Sequence, residues 1–366
     1  MFSAADHEFM TRALRLAQRG LYTTTPNPRV GCVVVHQGVV VGEGFHERAG
    51  DAHAETRALA QAGSRAQGAT VYVTLEPCAH HGRTPPCADA LVSAGVARVV
   101  VAMEDPNPLV AGRGLARLRA AGIQVDTGLL ATEARELNIG FVARMSRGRP
   151  WVRVKSAASL DGRTALANGV SQWITGEAAR RDVQHWRARA CAILTGSGTV
   201  LADDPRLDVR EIATPRQPRR IVVDSYLSIP VTARIFKQGE TVVVTASDDT
   251  GALNALREAG VTVVEMGRPG GQVDLVRLMA WLAEQGVNEL MVEAGATLNG
   301  ALLEAGLIDE LLLYLAPCLL GSTARGLFVL PEFTTMAQRI TLDIRDVRAV
   351  GRDWRVLARV LPAKEA

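Results

Sequence analysis

The sequence predicts an α/β protein of two domains, and three observations carry the prediction. The chain has 366 residues, more than one ordinary core holds when domains average roughly 150 residues. Runs of β-branched residues alternate with helical spacing along its length, the order that builds sheets covered by helices on both faces. That order is interrupted at RGRP over 147–150, where Pro150 biases its predecessor to extended backbone. The predicted domains are therefore 1–146 and 147–366.

In the first domain, apolar residues at helical spacing over 6–19 predict a helix. Two β-branched runs follow, VGCVVVH and VVVGEGF, and the Gln37-Gly38 turn between them predicts a hairpin. HAETRALAQAG then reads as a helix, ATVYVTL as a strand, ADALVSAG as a helix, ARVVVAM as a strand and GLARLRAAG as a helix. IQVDTG reads as a short strand and ATEARELNIGFVARM as a single closing helix. In the second domain WVRVKSA opens a new series that runs through GEAARRDVQHWRARA, CAILTG, RRIVVDS, ETVVVTA and NELMVEAG. It ends with helix TLNGALLEAG and strand ELLLYLA, and no internal repeat relates the two halves.

Apolar residues make up 48% and charged residues 22% of the chain, which speaks against disorder or a fibrous repeat. The formal charge is only +3 and the arginines are interspersed with acids, so no nucleic-acid partner is expected. MFSAADHEFMTRALRLAQRG carries Asp6 and Glu8 within an amphipathic pattern instead of a continuous apolar core, and runs such as ELLLYLAPCLL are too short to span a bilayer. The expected setting is cytoplasmic, with no membrane partner. Five cysteines, an odd number, favour free thiols or metal ligands over a disulfide framework. Cys32, Cys191 and Cys318 lie in or beside apolar runs and read as small buried hydrophobes. Cys78 and Cys87 lie in loop-rich sequence.

Those two thiols bracket the stretch EPCAHHGRTPPC at 76–87. Cys78 follows a predicted strand and Cys87 precedes a predicted helix whose start is marked by Pro85 and Pro86, a position that lowers a thiol's pKa. Upstream, HAE at 53–55 opens another helix. In a helix body His53 and Glu55 would point to nearly opposite faces, but at the first turn both can reach a group placed off the helix end. One imidazole and two thiolates make a neutral site with Zn²⁺ and leave a fourth tetrahedral position for water. Glu55, not a ligand, would then shuttle the proton, which is the arrangement of the zinc deaminases of nucleobases. The alternative is a closed structural zinc site with His80 or His81 as fourth ligand. The eight residues between the cysteines exceed the usual spacing of two.

Taken together, TPNPRVG, GEGFHERAGDAHAE, VTLEPCAHHGRTPPC and MEDPNPLVAGRG resemble the deaminase half of the bifunctional riboflavin-biosynthesis deaminase/reductase family, over residues 5–145. The resemblance implies a cytidine-deaminase-like α/β/α fold. It implies as substrate 2,5-diamino-6-ribosylamino-4(3H)-pyrimidinone 5′-phosphate, whose ring 2-amino group leaves as ammonia. It also places Asn27 and His46 against the pyrimidine or ribose, and His80 and Arg83 towards the phosphate.

The second half lacks a GxGxxG fingerprint, so an ordinary dinucleotide-binding turn is not expected. Two strand-to-glycine junctions stand in its place, in CAILTGSGTVLADDPRLDVR and MVEAGATLNGALLEAG, where a helix start can receive a phosphate. With VKSAASLDGRTA, SQWITG, RRDVQHWRA and DELLLYLAPCLLG, these stretches are similar to the reductase half of the same family over about residues 151–350, whose fold is like dihydrofolate reductase. The resemblance implies NADPH-dependent reduction of the ribosyl group of 5-amino-6-(5-phosphoribosylamino)uracil to ribityl. Cofactor contacts would fall on Ala157, Trp173, Thr199, Asp203, Ser225, Gly295, Ala296, Thr297, Leu298, Asn299, Gly300 and Ala301. Substrate contacts would fall on Ser171, Arg187, Leu207, Arg210 and Glu293, with the two guanidinium groups suited to a phosphate. Lys155 and Asp203 are the polar groups expected to assist ring opening and proton delivery. The expected partner is a small phosphorylated pyrimidine, and assembly into a homo-oligomer is left open.

Two competing readings make different demands. A zinc deaminase acting on single-stranded nucleic acid needs stacking aromatics, and aromatics are 4% of this chain. A zinc-stapled binding protein needs four protein ligands and has no use for Glu55.

Overall fold

The computed structural model describes residues 1–79, 86–108 and 110–362. The chain divides into two compact units, Met1–Gly148 and Arg149–Ala366.

The first unit begins with helix α1 (Ala4–Gln18), where Ser3 and Asp6 form a reciprocal cap. Strands β1 (Gly31–His36) and β2 (Val39–Phe45) form the hairpin; Gln37 and Gly38 both take positive φ, 51° and 78°, as the tight two-residue turn requires. Then follow α2 (Ala54–Ala62), β3 (Thr70–Val73), α3 (Cys87–Ser93), β4 (Arg98–Val101), α4 (Arg113–Ala120), β5 (Gln124–Thr127), α5 (Ala131–Leu137) and α6 (Ile139–Arg147). The sheet order is β2-β1-β3-β4-β5, antiparallel as far as β3 and parallel beyond it. Val33, Val34, Val71, Val73, Val99, Val100 and Val101 are all fully buried in it, which explains near-continuous apolar strands.

The single closing helix expected over 131–145 is in fact two, α5 and α6, parted at Asn138. The reason is a side-chain hydrogen-bond pair. Buried Asn138 accepts the Arg29 N–H at 2.7 Å through Oδ1 and donates to the Arg29 carbonyl at 2.9 Å through Nδ2. It thereby satisfies a backbone segment just before β1, and its own backbone leaves the helix at φ −107°, ψ 22°.

The second unit contains β6 (Trp151–Ser159), β7 (Arg163–Ala165), α7 (Glu177–Arg189), β8 (Ala192–Gly196), α8 (Ser197–Asp203), β9 (Arg219–Val223), β10 (Thr241–Thr245), α9 (Thr250–Glu258) and β11 (Thr262–Glu265). A small hairpin, β12 (Gly267–Arg268) and β13 (Gln272–Val273), precedes α10 (Leu275–Glu284), β14 (Glu289–Val292), α11 (Ala296–Glu304) and β15 (Glu310–Ala316). Two-residue β16 (Arg325–Gly326) pairs with β7. The main sheet runs β11-β10-β9-β8-β14-β6-β15, all parallel. Alternate residues enter different cores: Leu290 and Val292 pack in one cluster and Met291 in another, as do Leu194 and Ile193.

The sheet does not end at β15, the last strand the sequence predicts, but continues through an antiparallel hairpin, β17 (Leu342–Val350) and β18 (Asp353–Val360). Its strands are rich in Arg and Asp, with ion pairs such as Arg348–Asp346 at 2.7 Å lying along an exposed edge strand, and this masks the alternation expected of a buried one. Cys32 and Cys191 are buried as expected, whereas Cys318 is only partly buried. Among the described residues no helix is long and apolar enough to cross a membrane.

Candidate active sites

In the first unit, His53 is the N-cap of α2 with extended backbone, φ −68° and ψ 163°, while Glu55 is its second helical residue. The departure from helical backbone at His53 is what lets residues two apart serve one place. Helix α2 lies close on the sheet because β2 offers glycine beneath it. A methyl group added at Gly42 would stand 2.1 Å from the Ala58 carbonyl oxygen, and one at Gly44 would stand 2.6 Å from that of Ala54. Cys87 opens α3, one residue before the helix start that the sequence suggested, with Pro86 as its cap.

The donor atoms of His53, Cys78 and Cys87 lie within 4.8 Å of one another. His53 Nδ1 is 3.2 Å from Cys87 Sγ and 3.7 Å from Cys78 Sγ. Ligand edges of a tetrahedral zinc centre with bonds of about 2.0 Å to nitrogen and 2.3 Å to sulfur are about 3.5 to 3.8 Å, so the three groups fit that ion. Cys78 also accepts the Cys87 N–H at 3.3 Å, from the first turn of α3. The hydrogen bond from Cys87 and the neighbouring His53 hold the Cys78 thiol well below its usual range, against its burial. Cys87 moves the other way, because it hydrogen-bonds to Cys78 and is buried. The hydrogen bond to Cys78 raises His53, against its burial. Two sulfurs and an imidazole thus share protons that a bound dication would displace.

Glu55 is 3% exposed, and burial lifts its carboxyl to about 7 although His53 pulls the other way. His46 is buried, which lowers its pKa and favours the neutral ring. Its Nδ1 is 3.4 Å from the Ala52 carbonyl oxygen and its Nε2 is 3.1 Å from Asn27 Nδ2. These partners select the tautomer in which Nδ1–H donates and Nε2 accepts from Asn27. The His46 and His53 rings meet edge to face at 5.4 Å, so the structure brings Asn27, His46 and the cluster together. His80 and Arg83 lie outside the described residues.

In the second unit the expected residues divide into groups. Lys155, Arg187 and Glu293 converge: Arg187 donates twice to Glu293, at 2.6 and 3.0 Å, and Lys155 Nζ is 3.8 Å from the same carboxylate. Burial opposes charge on Glu293, yet Arg187 and Lys155 hold it down at about 2. Burial lowers the pKa of Lys155; Glu293 counters this and Arg187 reinforces it. The Arg187 fork is therefore already occupied by a carboxylate. Arg210 pairs with Asp208 at 2.6 Å, and its N–H is accepted by Gln184. Leu207 is a core side chain with φ 49°, so only its backbone is left to meet a ligand.

Gly196, the last residue of β8, and Gly295, just beyond neighbouring β14, cap α8 and α11 at the carboxyl ends of the strands, where open parallel sheets bind ligands. No side chain caps either helix start. A methyl group at Gly295 would meet only Thr199 Oγ1, at 3.9 Å, and one at Gly198 would meet nothing within 4 Å. This is a cradle with room and backbone donors for an anionic group, as a dinucleotide pyrophosphate requires. Within 295–301 the structure separates the residues: Gly295 and Thr297 are exposed, while Asn299 and Gly300 are turned into the fold. Asn299 donates to the Ala294 and Leu327 carbonyls, both at 3.3 Å. Trp173 is 68% exposed, with the Arg180 guanidinium 4.6 Å from its ring centre. Ser225 follows β9 and accepts the Val273 N–H at 3.2 Å, Ala157 lies within β6, Ser171 follows β7 and Asp203 is exposed at the end of α8.

Sequence reasoning assigned no role to three residues that organise these sites. They are Glu76, which binds the start of α4, Arg180 over Trp173, and Asn138, which fixes the segment after Asn27. Glu76 carried a signal, standing beside Pro77 and Cys78; Asn138 carried none.

Comparison with known proteins covers both units. Residues 3–103 match the cytidine and deoxycytidylate deaminase zinc-binding region, and residues 150–356 match the RibD C-terminal domain. The riboflavin biosynthesis protein RibD of Escherichia coli K12 is 54% identical, with 95% of this chain and 97% of that protein covered. That of Haemophilus influenzae is 48% identical over 96% of each. Among solved structures, Acinetobacter baumannii RibD, form 1, has 48% identity and a TM-score of 0.90, covering 98% of this chain and 99% of that one. The Thermotoga maritima diaminohydroxyphosphoribosylaminopyrimidine deaminase/5-amino-6-(5-phosphoribosylamino)uracil reductase has 30% identity and a TM-score of 0.86 over the same shares. With both halves matched in order and nearly the whole length aligned, this chain belongs to the RibD family of riboflavin biosynthesis proteins.

Proposed function

We propose that the protein carries out two consecutive reactions of riboflavin biosynthesis. The first unit deaminates 2,5-diamino-6-ribosylamino-4(3H)-pyrimidinone 5′-phosphate by hydrolysis. The second reduces the ribosyl group of the resulting 5-amino-6-(5-phosphoribosylamino)uracil to ribityl with NADPH. The observation that carries the first half is one imidazole and two thiols within 4.8 Å, beside the buried Glu55 carboxyl.

His53, Cys78 and Cys87 would hold zinc, which when bound activates water for attack near neutral pH. Glu55 takes the proton that the attacking water loses and passes it to the departing amine, so that nitrogen leaves as ammonia. Burial suits it to both tasks by bringing its pKa close to the working pH. Asn27 commits its N–H end to His46, so its Oδ1 is the end that a substrate amine or ring N–H can meet. His80 and Arg83 are proposed for the phosphate side.

In the second unit the proposed cofactor contacts are Thr199, Gly295 and Thr297 at the glycine cradle, together with Ser225, Ala157 and Trp173. NADPH when bound supplies the hydride that reaches C1′. Lys155, whose proton burial makes easier to release, delivers it to the ribose ring oxygen as the C1′–O4′ bond opens. One proton and one hydride then balance the reduction. Glu293, itself fixed by Arg187, holds Lys155 in place, and the N–H groups that Arg187 does not give to Glu293, with Arg210, Ser171 and the Leu207 backbone, are proposed to face the substrate. Asp203 is the second polar group proposed for proton delivery. A cytoplasmic setting belongs to the same reading and is supported by five cysteines in free form.

A Glu55→Gln protein tests this assignment. It is expected to retain zinc, to lose deamination by about a hundredfold to ten-thousandfold, and to reduce added deaminated substrate at the native rate. Loss of zinc along with activity would instead make Glu55 part of the metal-holding structure.

A further inference from the structure

Glu76, in the stretch that supplies Cys78, is 5% exposed and, among the described residues, pairs with no cation. Its carboxylate partners among them are backbone N–H groups of one distant segment. Oε2 accepts from Asp105 at 3.1 Å and Gly112 at 3.0 Å, and Oε1 accepts from Gly114 at 2.8 Å and Leu115 at 3.3 Å. Four donors fill the acceptor capacity of a carboxylate, at the positive end of α4. Gly112 caps that helix without a side chain, so Glu76 serves as its cap from another part of the chain.

The contact is tight on both sides. A methyl group at Gly114 would stand 1.9 Å from the Pro77 carbonyl oxygen, and the Glu76 N–H donates to Met103 at 3.0 Å. Cys78 follows Pro77 directly and is tied at its other side to the first turn of α3, through the Cys87 and Ala88 N–H groups at 3.3 and 3.1 Å. The segment after β3 that carries Cys78 is thus anchored to α4 by Glu76 and to α3 by Cys78 itself.

We infer that Glu76 is a positioning residue of the metal centre: its carboxylate, by binding the start of α4, fixes where Cys78 presents its sulfur to the ion. An amide at this position puts an N–H end against backbone donors and leaves them unpaired. This inference rests on the zinc reading above. Groups that orient ligands from behind typically change metal affinity by about 10- to 100-fold.

The test compares the full-length native protein with Glu76→Gln and Glu76→Asp. Zinc affinity is measured by competition with a chromophoric chelator, and the ligand field by the visible spectrum of the Co²⁺-loaded forms. Thermal unfolding and NADPH oxidation with deaminated substrate report on the fold. The expected result is a folded Glu76→Gln protein with native NADPH oxidation, at least tenfold weaker zinc binding and a shifted Co²⁺ spectrum, with Glu76→Asp between it and the native protein. Native zinc affinity and spectrum in folded Glu76→Gln overturn the inference. If Glu76→Gln does not fold, Glu76→Asp decides by the same readouts, and failure of both to fold assigns Glu76 to structure alone and overturns it. A native protein that binds no zinc would defeat the zinc reading itself, a distinct outcome.

Discussion

Lys155 shows how a single residue's surroundings set its role. It is a cation on a buried strand, 3.8 Å from a carboxylate that Arg187 already neutralises. Burial and Arg187 together press it towards the neutral amine, and Glu293 limits the fall. A lysine so placed gives up a proton more readily than one in water. Replacing it with alanine is expected to lower NADPH oxidation by about a hundredfold or more, with ammonia release from the diamino substrate unchanged. Steady-state assays of the two half-reactions check this, and native NADPH oxidation in Lys155→Ala would remove the residue from the mechanism. The His53, Cys78 and Cys87 group was open to reading from the sequence because metal binding demands particular side chains. The Arg187–Glu293 pairing was not, because it joins residues 106 positions apart through the sheet.

At the scale of elements, the strands and helices whose apolar residues follow a clean period were readable, and those shaped by polar contacts were not. Asn138 divides a helix by bonding to residue 29, and β17 and β18 hide their alternation under paired charges. Helix α1 shows the same kind of polar control at a place that can be tested. Asp6 is buried at its start, accepts from Ser3, Tyr72 and Arg98, and is held far below the usual carboxylate range against the effect of burial. Because its folded pKa is depressed, its contribution to stability is fully present above the unfolded value of about 3.9 and is lost as the pH falls through the lower folded value. Asp6→Asn is expected to destabilise the first unit by roughly 2 to 3 kcal/mol at neutral pH and to flatten its acid sensitivity below about pH 4. Thermal melts across pH check this; equal acid sensitivity in the two proteins would contradict it.

At the scale of the whole molecule, the chain joins two α/β units with different cores and different chemistries. The carboxyl-end cradle of the second sheet was not readable from the motifs, because β8 and β14, which frame it, are neighbours in the sheet but far apart in sequence. The two proposed reactions run in sequence, the product of one unit being the substrate of the other. The most direct test follows both in one sample. Purified protein of known zinc content is given the diamino substrate and NADPH, and ammonia release and NADPH loss are recorded together. Ammonia is expected first, with NADPH oxidation following in equal final amount, and both are lost when zinc is removed, with NADPH oxidation restored by adding deaminated substrate. NADPH oxidation of the diamino substrate without ammonia release, or ammonia release undiminished in zinc-free protein, would contradict the proposed function.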